Sequence, residues 1–112
     1  MKLKKEDIER IRLAKELLTK SRHYHLTIED LSRETQLNRN KLQFGFRELY
    51  QISIDEYRIQ LRMEKARQLL EQTEKSVKDI SVMLGYKSMG SFSAMFKKVY
   101  RKTPSEWRSG LG

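Results

Sequence analysis

The chain has 112 residues, with 24 Lys+Arg against 15 Asp+Glu, a formal net charge of +9 and no cysteine. Disulfides, thiolate zinc sites and thiol nucleophiles are therefore excluded; no apolar run approaches the ~20 residues that span a bilayer, and the charged N-terminus is not that of a signal peptide. The length suits one domain, or two very small ones sharing a core, and the basic excess favours a polyanionic partner, nucleic acid ahead of an anionic membrane surface.

One proline, five glycines and abundant Leu, Lys, Glu and Arg predict an all-α fold. A reducing, cytoplasmic setting is the default expectation. After a basic lead-in, Ile8, Ile11, Ala14, Leu17 and Leu18 share one face from about Glu6 to Lys20 and charge fills the other, which predicts an amphipathic helix. The stretch SRHYHL then breaks the pattern as a loop. His23 and His25 within it stand at i, i+2 with no cysteine near, a poor metal set, and neither metal nor cofactor is expected.

Thr27 opens a second helix, with Asp30 three residues on as a short capping box. Ile28 and Leu31 should face inward, and the helix should end near Thr35–Gln36. Leu37 anchors a turn and Asn38 caps a third helix, whose expected buried stripe is Leu42, Phe46 and Leu49. Helix, tight turn and helix make a helix-turn-helix pattern.

The longest helix runs from Ser53 to about Thr73. Ser53 caps it, and Glu56 is placed to reach back to the Ser53 N–H. Ile59, Met63, Ala66 and Leu70 recur at helical spacing, with Tyr57, Leu61 and Leu69 widening the stripe. At ~1.5 Å per residue this is a rod of ~30 Å, comparable to one turn of DNA at ~34 Å. It is expected to space two DNA-reading units.

Beyond the rod the pattern returns. Ser76 caps, Asp79 takes the third position, Val77 and Ile80 face inward, and Gly85 ends the helix. Tyr86 anchors the turn, and Ser88 caps a helix with Phe92, Phe96 and Val99 as its stripe. Thr103-Pro104-Ser105-Glu106 is a near-complete helix start before a short last helix carrying Trp107.

The two patterns are copies. A shift of 49 lays Asp30 on Asp79, Leu31 on Ile80, Ser32 on Ser81 and Leu37 on Tyr86. After one extra residue the shift is 50, and Asn38 falls on Ser88, Leu42 on Phe92, Phe46 on Phe96, Arg47 on Lys97 and Tyr50 on Tyr100. The expected organisation is seven helices in a first helix-turn-helix subdomain (6–52), a linker helix (53–73) and a second helix-turn-helix subdomain (74–108).

The second helix of such a unit enters the major groove by its N-terminal end. Removing the core positions from the first copy leaves Arg39, Asn40, Gln43, Phe44 and Arg47. Asn and Gln pair bidentately with adenine, Arg with guanine, and Phe packs on a thymine methyl. The plainer alternative is that Phe44 packs on a neighbouring helix and the polar residues are only solvated. The second copy offers Met89, Gly90, Ser93, Ala94 and Lys97, a set without a bidentate base pair. Base contacts are therefore expected from Arg39, Asn40, Gln43, Phe44, Met89 and Ser93. Phosphate contacts are expected from Asn38, Arg47, Ser88, Ser91, Lys97, Lys98, Arg101 and Lys102. Specificity should be lopsided, unless the lysines are merely a solvated face. On the rod, Arg62 either bridges a carboxylate or touches phosphate. Trp107 and Tyr57 suit the core better than base stacking. No Gly-rich phosphate loop or nucleophile–base set occurs, and the carboxylates suit caps or i, i+4 pairs, so an enzyme is not expected.

Gly85-Tyr86-Lys87-Ser88, Ser91-Phe92-Ser93, Phe96-Lys97-Lys98 and Thr103-Pro104-Ser105-Glu106-Trp107-Arg108 closely resemble the signature of the AraC/XylS transcription regulators. Tyr57, Arg62, Ala66 and Leu69-Leu70 resemble that family's linker helix, and the likeness runs from about residue 6 to 108. It implies a seven-helix bacterial DNA-binding domain whose two reading helices enter successive major grooves. Carried over by position, the base-reading sites are Asn40, Gln43 and Phe44, then Met89, Gly90, Ser93 and Ala94. Members often have Gln or Arg at the latter places and commonly Gly where Arg101 stands. Most carry a separate sensor or dimerisation domain; none is expected within these 112 residues, which would be either a fragment or a stand-alone short member, and activators of the family touch RNA polymerase. Residues 37–51, LNRNKLQFGFRELYQ, look closest to the siderophore-responsive iron-uptake regulators. The resemblance implies sequence-specific binding of double-stranded DNA to regulate transcription. The rivals are a helical protein-interaction module and a non-specific nucleic-acid coater.

Overall fold

The computed structural model describes residues 2–20 and 26–111. Residues 21–25 of the expected SRHYHL loop, with both histidines, lie outside the described residues. Seven helices follow one another: α1 (Lys5–Lys20), α2 (Ile28–Thr35), α3 (Arg39–Tyr50), α4 (Ile54–Gln72), α5 (Val77–Met83), α6 (Met89–Tyr100) and α7 (Pro104–Ser109). No strand occurs among the described residues. The chain divides into two compact units, residues 1–59 and 60–112, with the boundary inside α4.

The helix starts are written by their caps. Thr27 and Asp30 form a reciprocal capping box at α2, and Thr103 and Glu106 form another at α7, with Pro104 as the first helical residue. Asn38, Ser76 and Ser88 each accept the amide three residues on. At α4 the Ser53 hydroxyl accepts the Glu56 amide at 3.1 Å. The Glu56 carboxylate accepts a hydrogen bond from that same hydroxyl at 3.0 Å, instead of reaching the Ser53 N–H.

In the first unit α1, α2 and α3 pack on one another around Ile11, Ala14, Leu18, Leu31, Leu42 and Phe46, all fully buried. Each such Ile, Leu or Phe is worth roughly 1.5–3 kcal/mol of transfer free energy. The third buried position on α3 is Gly45, and Leu49 is only half-buried. A Cβ at Gly45 would stand 2.1 Å from Ile11 Cδ1, so the glycine is what lets α1 and α3 close up. Asp7 is buried at the start of α1; it accepts the Lys4 amide at 2.9 Å and lies 3.5 Å from Lys41 Nζ. Tyr57 is half-buried against Phe46, and its hydroxyl shares a 2.8 Å hydrogen bond with Thr19. Arg58 Nη2 donates to the Leu26 carbonyl at 2.5 Å.

The second unit buries Met63, Ala66, Leu69 and Leu70 of α4 with Ile80, Leu84, Phe92 and Phe96. Rings continue the core from Tyr86 through Phe92 and Phe96 to Tyr100 and Trp107. Val99, expected in the α6 stripe, is instead 38% exposed. The i+4 residue Tyr100 fills that place, with its ring 4.8 Å from that of Phe96. Arg62 lies over the Tyr86 ring at 5.8 Å, a packing contact on the second unit's core. Arg108 closes the C-terminal end of α4. Its guanidinium donates to the carbonyls of Leu70, Thr73 and Lys75 at 3.3, 3.2 and 2.5 Å, meeting acceptors that a helix end otherwise leaves to solvent. Trp107 Nε1 donates to Glu71 at 3.1 Å, so this indole is a packing residue.

The repeat is visible in the backbone. Gln36 and Gly85 are 49 positions apart, and each turns left-handed within its helix-turn-helix, at φ 59° and 83°. Gln51 and Arg101 are 50 apart and end α3 and α6 at φ 60° and 69°.

Candidate nucleic-acid interface

Asn38 Oδ1 accepts the Lys41 amide at 2.8 Å, which sets the first turn of α3 and leaves the side-chain NH₂ of Asn38 to donate outward. Leu42, Gly45 and Phe46 then face the core. Arg39, Asn40, Gln43, Phe44 and Arg47 come together on the opposite, exposed face at positions i, i+1, i+4, i+5 and i+8. Phe44 keeps 37% of its surface exposed, an apolar ring set among amides and guanidinium groups. Neither arginine stands alone. Arg39 is 3.0 Å from Glu29 of α2, and Arg47 is 3.5 Å from Glu56 of α4. Gln43 and Arg47 also line a cleft of about 180 Å³ with Ser53, Ile54 and Asp55 at the start of α4.

On α6 the Ser88 hydroxyl accepts the Ser91 amide at 3.0 Å and donates to the Ser91 hydroxyl at 2.9 Å. That leaves the Ser91 O–H to donate outward. Phe92 and Phe96 turn inward. The opposite face carries Met89, 50% exposed, with exposed Gly90, Ala94 and Lys97 and half-buried Ser93. Lys98 is exposed on the same helix, and Arg101 and Lys102 are exposed just past its end. Among the described residues no carboxylate lies within 4 Å of these four cations.

Sequence reasoning placed all five outward residues of α3 but missed their neighbours Glu29, Glu56 and the start of α4. A signal existed. The 50-residue shift that relates α3 to α6 also lays Ser53 on Thr103 and Glu56 on Glu106, so the repeat includes the next helix start. The two carboxylates diverge in use. Glu106 accepts the Thr103 N–H at 2.9 Å, which holds its pKa below the ordinary value, whereas Glu56 turns to a hydroxyl and to Arg47.

Two short helices, an outward reading face and basic residues around it form the geometry of a DNA-binding helix-turn-helix. Residues 31–110 match the helix-turn-helix domain family. The fold matches a transcriptional regulator with an AraC-type DNA-binding domain from Chromobacterium violaceum, with TM-score 0.83, 27% identity and coverage of 93% of both chains. The chain belongs to the AraC-type helix-turn-helix family. Among curated relatives, the Msm operon regulatory protein of Streptococcus mutans is 34% identical over 86 residues, covering 77% of this chain and 31% of that protein. The raffinose operon transcriptional regulatory protein RafR of Pediococcus pentosaceus is 32% identical over 110 residues, 98% of this chain and 40% of its own length. The chain thus spans about a third of the curated relatives it matches. As an AraC-type domain it is a DNA-binding domain of transcription regulators. No described helix is long and apolar enough to cross a membrane.

Proposed function

We propose that this AraC-type domain binds double-stranded DNA sequence-specifically to regulate bacterial transcription, with α3 reading bases and α6 gripping the backbone. The observation that carries this is the contrast between the two exposed faces. One presents Asn40, Gln43 and Phe44; the other presents Met89, Gly90, Ser93 and Ala94 beside Lys97 and Lys98, which have no carboxylate within 4 Å among the described residues. Asn40 and Gln43 are equipped for adenine, Arg39 for guanine, and Phe44 and Met89 for thymine methyls. Ser93 adds a single hydroxyl. Asn38, Arg47, Ser88, Ser91, Lys97, Lys98, Arg101 and Lys102 hold phosphates and set register. The function is binding in the cytoplasm, without catalysis or cofactor.

Relatives about two and a half times as long support a further sensor or dimerisation domain working with this one. A contact with RNA polymerase completes the proposed regulator. Residues 37–51 support the siderophore-responsive branch, while the relatives' names point to sugar operons. Selecting sites from a random duplex library tests the core claim. A selected duplex should bind at least ~10³-fold more tightly than random DNA, and a gain below ~10-fold would reduce the domain to a non-specific coater. The genes that follow matching sites would then choose between the two branches.

A further inference from the structure

The first reading helix carries two arginines on its DNA-facing side, and each is held by a carboxylate from another helix. Glu29, in the first turn of α2, lies 3.0 Å from Arg39. Glu56, in the first turn of α4, lies 3.5 Å from Arg47. Among the described residues the second unit shows no such arrangement. The repeat puts Lys78 where Glu29 stands, and Glu106, the counterpart of Glu56, is drawn into its own helix cap. Lys97, the counterpart of Arg47, keeps its charge without an ion pair among the described residues.

We infer that Glu29 and Glu56 are specificity-determining residues, which hold Arg39 and Arg47 in ion pairs that only a correctly registered DNA site breaks. This rests on the reading of α3 as the base-contacting helix. Both pairs are solvent-exposed, with 59–66% of each side chain accessible, so each is weak and easily exchanged. A paired arginine presents almost no net charge to a passing phosphate. Loose, non-specific complexes form through net charge and counterion release, so the paired face adds little to them. In the specific complex the guanidinium finds a base edge or phosphate within bonding distance, and the pair is exchanged for a stronger contact. Charge is thus withheld from wrong sequences at small cost to the right one. The second unit, which grips mainly the backbone, leaves its charge exposed.

The test measures binding of the full chain to a selected and a random duplex across a range of salt. It compares Glu29→Gln and Glu56→Gln, each also in the Arg39→Ala or Arg47→Ala background. Gln keeps an acceptor for the Ser53 hydroxyl, so the α4 start survives. On random DNA each Gln variant should steepen the log–log salt slope by about one and tighten binding ~5- to 8-fold at 0.1 M salt. On the selected duplex the slope should stay as it was and the gain should be only ~2-fold, that of an exposed ion pair. Both gains should vanish once the partner arginine is Ala. Equal gains on both duplexes, or gains that persist without the arginine, would reduce the glutamates to plain repulsion and overturn the inference alone. If Arg39→Ala and Arg47→Ala leave both duplexes unaffected, the reading of α3 itself falls.

Discussion

Gln51 and Arg101 end their helices in the left-handed region, where a side chain costs ~1–2 kcal/mol and glycine costs nothing sterically. Glycine gives back ~0.4–1 kcal/mol through the freedom it adds to the unfolded chain. Gln51→Gly should therefore raise stability in urea by up to about 1 kcal/mol. Arg101→Gly should do the same while weakening DNA binding on every sequence, because the phosphate contact proposed for it goes with it. Single residues were legible in the sequence where a local rule governed them. The caps Thr27, Asn38, Ser76, Ser88 and Thr103 and the outward set on α3 follow from neighbours within one helical turn. The partners of Arg39 and Arg47 were not, since each ion pair joins two helices and depends on how those helices meet. Arg108 was legible only as part of a family signature. Its role appears once α7 brings it to carbonyls more than thirty residues earlier.

At the scale of the elements, two pressures shape the helices: their starts and their close approaches. Asp30 and Glu106 are held below their ordinary pKa values of 3.8 and 4.5, chiefly by the backbone N–H of Thr27 and of Thr103. A depressed folded-state pKa stabilises the fold above the ordinary value, and that contribution disappears as pH falls through the folded one. Stability should thus decline progressively below about pH 4. Asp30→Asn with Glu106→Gln should flatten that decline in denaturant titrations at successive pH values. Gly45 tests the close approach. Helix propensity alone favours Gly45→Ala by up to ~1 kcal/mol. The Ile11 Cδ1 atom in its path should outweigh that and give a net loss of ~1–3 kcal/mol. Adding Ile11→Val removes that methyl and should recover part of the loss, measured by thermal unfolding. Helix existence and boundaries were legible from capping and period. The stripes were less so: Gly45 takes the third buried place on α3 in place of Leu49, and on α6 half-buried Tyr100, not Val99, packs on Phe96, because a straight period ignores which neighbour a helix meets.

For the whole molecule, the internal repeat carried most of what sequence alone offered. It foretold two helix-turn-helix units of one plan and two unlike outward faces, and the backbone repeats its left-handed turns at the same offsets. Its charge of +9 pointed to nucleic acid but not to how that charge is arranged. In the first unit Glu29 and Glu56 answer Arg39 and Arg47, and in the second Lys97 and Lys98 have no carboxylate within 4 Å among the described residues. Division of labour between α3 and α6 is the central claim, and one experiment addresses it most directly. The affinity of the wild-type chain, Gln43→Ala and Lys97→Ala should be measured for a selected duplex and for every single base-pair substitution of it. Gln43→Ala should cost ~1–3 kcal/mol on the selected site and abolish discrimination at one base position. Lys97→Ala should weaken every duplex alike and lower the salt slope by about one. The claim is contradicted if Gln43→Ala leaves the pattern of base preference untouched, or if Lys97→Ala alters preference at particular positions.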